Sequence, residues 1–185
     1  MSYLLEIVGS VIIGGLILLI ILNLNSNMSS SSGELSMDVR SQGNVTSLIE
    51  EIEYDLRKIG YRVSGSPAII TADTNAISFQ YDIDNNGAPD TISYFLSDTT
   101  ALSSTPNPRD KLLYRTINSS SIPLTSNLGV TAFRLWYYDD LGSLTVSPGQ
   151  VRSIKFALTV ESIYPYDNEY ASTYIERLIS PNNLR

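Results

Sequence analysis

The sequence predicts an α+β fold: a long N-terminal helix, transmembrane in its first half and amphipathic in its second, packed on an antiparallel β-sheet. Three features predict it. The chain opens with an apolar run from Ile7 to Leu24 (IVGSVIIGGLILLIILNL) that holds no charged residue. Apolar residues then recur at three- and four-residue steps from Leu35 to Ile59, apart from a polar gap around Gln42 and Gly43. Beyond Gly60 the period falls to two, in short stretches separated by loops rich in Ser, Thr, Pro and Asn.

The first element follows from length. Eighteen residues at about 1.5 Å rise give about 27 Å of helix, enough to cross a hydrocarbon core. A cleaved secretory signal would carry a basic start and a small-residue cleavage site, and this start has neither. Residues 1–24 therefore read as an uncleaved membrane helix. Glu6 stands at its start. Ionisable groups in membrane segments are rare and often functional, although a carboxylate at the end of the run can also snorkel to the interface. Gly9, Ser10, Gly14 and Gly15 supply the small side chains through which membrane helices approach one another. Residues 25–33 (NSNMSSSSG) read as a flexible linker or melted stretch, which leaves 34–185 as the extracytoplasmic domain.

In the second helical stretch, Leu35, Val39, Val45, Ile49, Ile52, Leu56 and Ile59 make an apolar face. Glu50, Glu51, Glu53, Asp55, Arg57 and Lys58 fall largely on the other side. Glu53 and Arg57 are spaced for an i,i+4 pair, and Gly60 is a natural stop after two basic residues. Alternation then marks strands at Ile77–Tyr81, Ile92–Leu96, Phe133–Tyr137 and Ile154–Val160, with a shorter one at 111–117. Residues 97–110, 118–128 and 140–150 read as loops. Alternating strands without intervening helices make an antiparallel sheet with one wet face, whose dry face the amphipathic helix can cover.

Composition narrows the function. A net charge of −7 argues against nucleic acid and against an electrostatic hold on anionic lipid. The absence of cysteine excludes disulfides, thiolate nucleophiles and thiolate metal sites. The absence of histidine removes the usual base near neutral pH, Ser-His triads and imidazole ligands. No enzymatic activity is expected.

Three stretches together resemble the pilin-like proteins of type IV filament systems, nearest to minor pilins and the minor pseudopilins of type II secretion. They are the anchor with Glu6, the helix end LIEEIEYDLRKIGY (48–61), and the region from NAISFQYDIDNNGAPDTISYFL to NPRDKLLYR. The family carries a basic leader cut just before the mature N-terminus. In this sequence Met1 alone precedes Ser2, and the resemblance implies that Ser2 becomes the first residue and Glu6 the fifth. It further implies that Glu6 meets the free amino terminus of a neighbouring subunit, with Gly14 and Gly15 in the helix contact. The implied partners are other pilin-like subunits, the membrane through residues 7–24, and inner-membrane assembly machinery. The implied location is the inner membrane before assembly, then a periplasmic or cell-surface filament.

Residues 82–90 (DIDNNGAPD) are a second candidate site. Asp82, Asp84 and Asn86 are oxygen ligands at alternate positions, Gly87 follows, and Asp90 stands in ninth place, as in the first part of an EF-type calcium loop. Position twelve is Ser93 instead of the bidentate Glu. The segment reads equally as a hairpin tip, in which Asn-Gly supplies positive φ. Calcium is the only cofactor that the sequence suggests.

Trp136, Tyr137, Tyr138, Tyr164, Tyr166 and Tyr170 read as half-buried sheet residues in preference to a ligand patch. Asp139 and Asp140 are adjacent, so their side chains diverge and make a poor catalytic pair. Two other functions fit less well: a stand-alone membrane-anchored module that binds calcium or glycan, and a tethered hydrolase that uses carboxylates alone.

Overall fold

In the computed structural model the described residues are 2–65, 67–123, 129–165 and 168–184. The side chains of Ser2, Leu35 and Val39 and the ring of Tyr166 lie outside the described residues. The class is α+β, with one long helix and two antiparallel sheets. The chain divides into two compact units, Met1–Gly43 and Asn44–Arg185.

Helix α1 runs from Ser2 to Lys58, 57 residues. The backbone stays helical through residues 25–33, where the sequence predicts a break. Serine and asparagine cost a helix only about half a kcal/mol each relative to alanine, and extending a nucleated helix is far easier than starting one. No proline interrupts the stretch. The second compact unit begins at Asn44. Arg57 and Lys58 occupy the last turn, where positive charge complements the helix dipole. Gly60 follows at φ +80, a conformation that glycine adopts without a Cβ penalty.

The first sheet holds β1 (Ile69–Ala72), β2 (Ala76–Tyr81), β3 (Asp90–Leu96), β4 (Leu113–Ile117) and β5 (Ser120–Pro123), paired in chain order. The second holds β6 (Gly129–Tyr138), β7 (Ser153–Glu161) and β8 (Ser172–Ile179), likewise in order. One sheet was expected and two are present. The reason lies at β4. A two-residue turn with Asn118 and Ser119 both at positive φ brings β5 back along the outer edge of β4. That edge is then filled, and the chain just before β4 meets β6 through the bridge Lys111–Val130. A further bond, Leu135 N–H to the Thr74 carbonyl at 2.8 Å, joins the sheets near β1 and β2.

The core is one cluster. Leu48, Ile52, Leu56 and Ile59 of the helical end share it with Phe79, Ile92 and Tyr94 of the first sheet and Phe133, Phe156 and Leu158 of the second. Strand alternation sets the inward faces, with Ile154, Phe156, Leu158 and Val160 all buried on β7. On β6 the register shifts between Val130 and Ala132. This bulge lets Val130 and Phe133 both point inward although they are three residues apart.

Leu56 is fully buried, so Leu56→Ala should cost about 2–5 kcal/mol through lost transfer energy and an unfilled cavity. Denaturant unfolding of the full chain in detergent checks this. Glu50→Ala, at an exposed position of the same helix, should change stability by no more than about 0.5 kcal/mol.

Candidate functional site

The residues singled out in the sequence fall at two places. At the N-terminal end, Glu6–Ser26 form a 21-residue span of mean hydropathy 2.7 with no part buried, long and apolar enough to cross a membrane. Glu6, Ser10 and Gly14 follow at four-residue steps and so share one face of the helix, with Gly15 beside them. Ser10 Oγ donates to the Ile7 carbonyl at 2.8 Å, which satisfies its hydroxyl inside apolar surroundings. A Cβ at Gly9, Gly14 or Gly15 would meet nothing within 4 Å. The fold of this chain therefore does not require these glycines, which leave a flat strip open to a neighbour.

The second place is the β2–β3 turn. Asp82 is buried although it leads a surface loop. Its Oδ1 accepts from Asn86 N–H at 3.1 Å and its Oδ2 from Gly87 N–H at 3.0 Å, with Arg62 Nη1 at 3.6 Å. Burial works against its charge, but these N–H groups and Arg62 outweigh it and hold the carboxyl below the usual range. Asp84 also accepts from Asn86 N–H, at 3.2 Å. Asp90 accepts from Ile83 N–H at 3.1 Å and from Asn118 Nδ2 at 2.6 Å. Asn85 and Gly87 take the positive φ that the turn needs.

The turn is thus closed by its own hydrogen bonds, and the donor set also suits a hard cation. Oxygens of Asp82, Asp84 and Asp90 lie within 4.8 Å of one another, about twice a calcium–oxygen distance of about 2.4 Å. Asn86 Oδ1 instead accepts from Ala88 N–H at 2.7 Å. Ser93, at position twelve, bonds Ser78 inside the sheet at 2.9 Å. A cation held by these three carboxylates would lack the bidentate twelfth ligand, as in the weak, extracellular class of calcium sites.

Sequence reasoning misplaced one residue. Asp55, assigned to the polar face of the helix, is 1% exposed. It stands seven residues after Leu48, three after Ile52 and four before Ile59, on their stripe, and that spacing was the available signal. Tyr81 and Tyr94 hydroxyls each donate to it at 2.5 Å. Arg115 adds Nε at 2.7 Å and Nη2 at 3.3 Å. Burial, then Asp55, pushes both phenols well above their ordinary range. Burial works to discharge Arg115, but its bonds to Asp55 more than restore the charge. Glu51 lies 3.7 Å from the same guanidinium. Its carboxyl is raised by burial, with Arg115 opposing and Asp55 adding to the rise.

The aromatic residues go to separate places. Tyr137 is buried and donates to the Asp73 carbonyl at 2.7 Å, Tyr164 is exposed, and Tyr170 donates to the Pro106 carbonyl at 3.0 Å. Asp139 Oδ1 accepts from the N–H groups of Leu141 and Ser143, which commits it to a turn.

Asp55→Asn should destabilise the full chain by about 3–5 kcal/mol, because it strands a buried guanidinium; denaturant unfolding measures this. At the turn, a site of about 1 mM affinity would gain about 1.4 kcal/mol from 10 mM calcium. The melting temperature should rise by a few degrees, and Asp84→Ala should abolish the rise. No rise in the parent leaves the segment as a turn alone. Because its pKa is lowered on folding, Asp82 stabilises above about pH 4 and ceases to as the pH falls through its folded value. Asp82→Asn should therefore flatten the acid limb of the stability profile. No family model, no curated protein and no solved structure matches the chain.

Proposed function

We propose that this protein is a structural subunit, a minor pilin or minor pseudopilin, of a type IV filament or a type II secretion pseudopilus. One observation carries the reading: a single helix joins a wholly exposed apolar span, Glu6–Ser26, to a stripe from Val45 to Leu56 buried in the core of a sheet domain. An ordinary anchor needs no such continuity, since a flexible linker would tether the domain as well. A filament subunit needs it, because the helix that leaves the membrane must enter the filament core while its other end carries the sheets.

In this reading the helix holds the subunit in the inner membrane until assembly machinery extracts it. Within the filament, the strip of Ser10, Gly14 and Gly15 lets neighbouring helices close up. Glu6 pairs with the amino terminus of the next subunit, where an ammonium and the positive end of a helix dipole meet. An unpaired carboxylate is costly in that environment, so the pair sets the axial register. A stand-alone anchored module would use the same helix without any role for Glu6.

Intact-mass and N-terminal sequencing of the mature protein should find Ser2 first; retained Met1 would remove the expected spacing to Glu6. Glu6→Gln should leave the exported domain folded yet reduce incorporation into filaments at least about tenfold, since breaking a buried charge pair costs about 3–5 kcal/mol. Equal incorporation of variant and parent between pH 6 and 8 would sink the filament role of Glu6.

A further inference from the structure

Asp110 is a buried carboxylate with no answering group. It is 1% exposed, and among the described residues neither of its oxygens takes part in a hydrogen bond. The other buried carboxylates differ: Asp55 has two phenols and a guanidinium, and Asp82 has two backbone N–H groups and Arg62. Asp110 immediately precedes Lys111, whose N–H donates to the Val130 carbonyl at 3.0 Å in the bridge between the sheets. Gly129, at the start of β6, lies so close that a Cβ there would fall on the Asp110 carboxylate.

The neighbours do not neutralise it. Arg109 directs Nε and Nη2 to Glu161 Oε2, both at 2.9 Å, and Asn107 Nδ2 reaches the same oxygen at 3.0 Å. The nearby positive charge is therefore committed, and Glu161 faces Asp110 as a second anion. The Thr105 hydroxyl favours the anion, but it also gives its proton to the Leu102 carbonyl at 2.9 Å, which weakens that effect. Burial and Glu161 favour the neutral acid, against Thr105 and Arg109.

We propose that Asp110 is a proton-operated latch at the junction of the two sheets: as a neutral acid it seats against Gly129 and lets Lys111 pair with Val130, and as an anion it forces that junction open. Burial raises its pKa, with Thr105 opposing, Glu161 adding and Arg109 opposing, and the balance is upward. A group whose pKa is raised on folding lends its stability fully below the unfolded value, and that stability is lost as pH rises through the folded value. The latch thus works in the opposite sense to Asp82. It depends on no filament role, so its failure and that of the assembly reading are separate.

The test uses the full chain in detergent micelles with aspartate labelled at the carboxyl carbon. One carboxyl resonance, absent in Asp110→Asn, should titrate above the ordinary aspartate range. Across the same interval the protection factor of the Lys111 amide, corrected for intrinsic exchange, should fall about tenfold per pH unit. Asp110→Asn should hold that protection constant. Thr105→Val, which keeps the carboxyl and removes the opposing hydroxyl, should move the midpoint higher and identifies the resonance should Asp110→Asn not fold. An Asp110 midpoint within the ordinary range overturns the proposal, as does Lys111 protection indifferent to pH. Restoration of that protection at high pH by 10 mM calcium chloride also overturns it, since a cation would then be the partner.

Discussion

The rest of the sheet domain depends on the knot around Asp55. Helix α1 has an apolar stripe that any greasy surface could cover, and the hydrophobic effect is indifferent to rotation or sliding of that stripe. Asp55 removes the indifference. Its carboxylate is met by Tyr81 of β2, Tyr94 of β3 and Arg115 of β4, so three consecutive strands must each be in register with one point on the helix. A shift of one residue along any of them would send the phenol or guanidinium to the opposite face. Such a knot is weak evidence for net stability, because taking the charges out of water offsets most of their attraction. Its service is to specify a single alignment.

The same logic separates the two sheets. β2, β3 and β4 are tied to the helix by polar bonds as well as apolar contact, whereas the second sheet joins the core through apolar residues such as Phe133, Phe156 and Leu158. Its charged tie to the helical end is Arg177 to Glu53 at 3.3 Å, with the arginine 56% exposed. Exposed pairs of this kind contribute little and are screened by salt. The second sheet is thus held mainly by packing and by a few bonds to the first sheet and its loops, among them Lys111–Val130, Leu135–Thr74 and Tyr137–Asp73.

Much of this was legible in the sequence because it rests on periodicity. The apolar span, the stripe ending at Ile59 and the strands around Phe79, Tyr94, Leu135 and Phe156 each repeat at the period their structure demands. The misses have distinct causes. β1 and β5 are four residues each, too short to show alternation. β8 is exposed along most of both faces, so no apolar pattern marks it. The Ser-rich stretch stayed helical because propensity is a small term beside continuation of an existing helix. Asp55 was read as a surface charge because its burial depends on a partner remote in sequence, Arg115. At the β2–β3 turn the residue types were legible, while the hydrogen bonds that close it without an ion needed coordinates.

The long separation between Asp55 and its partner also has a consequence in time. Arg115 follows Asp55 by 60 positions, which at about 5–20 residues per second is about 3–12 s of synthesis. Throughout that interval Leu48, Ile52, Leu56 and Ile59 are already made while part of the surface that covers them is not. A carboxylate in the middle of this stripe keeps the nascent helix from presenting an unbroken greasy face to other chains, and it stops being a liability only when Arg115 arrives. The residue that fixes alignment in the finished domain therefore also guards its helix while it waits to fold.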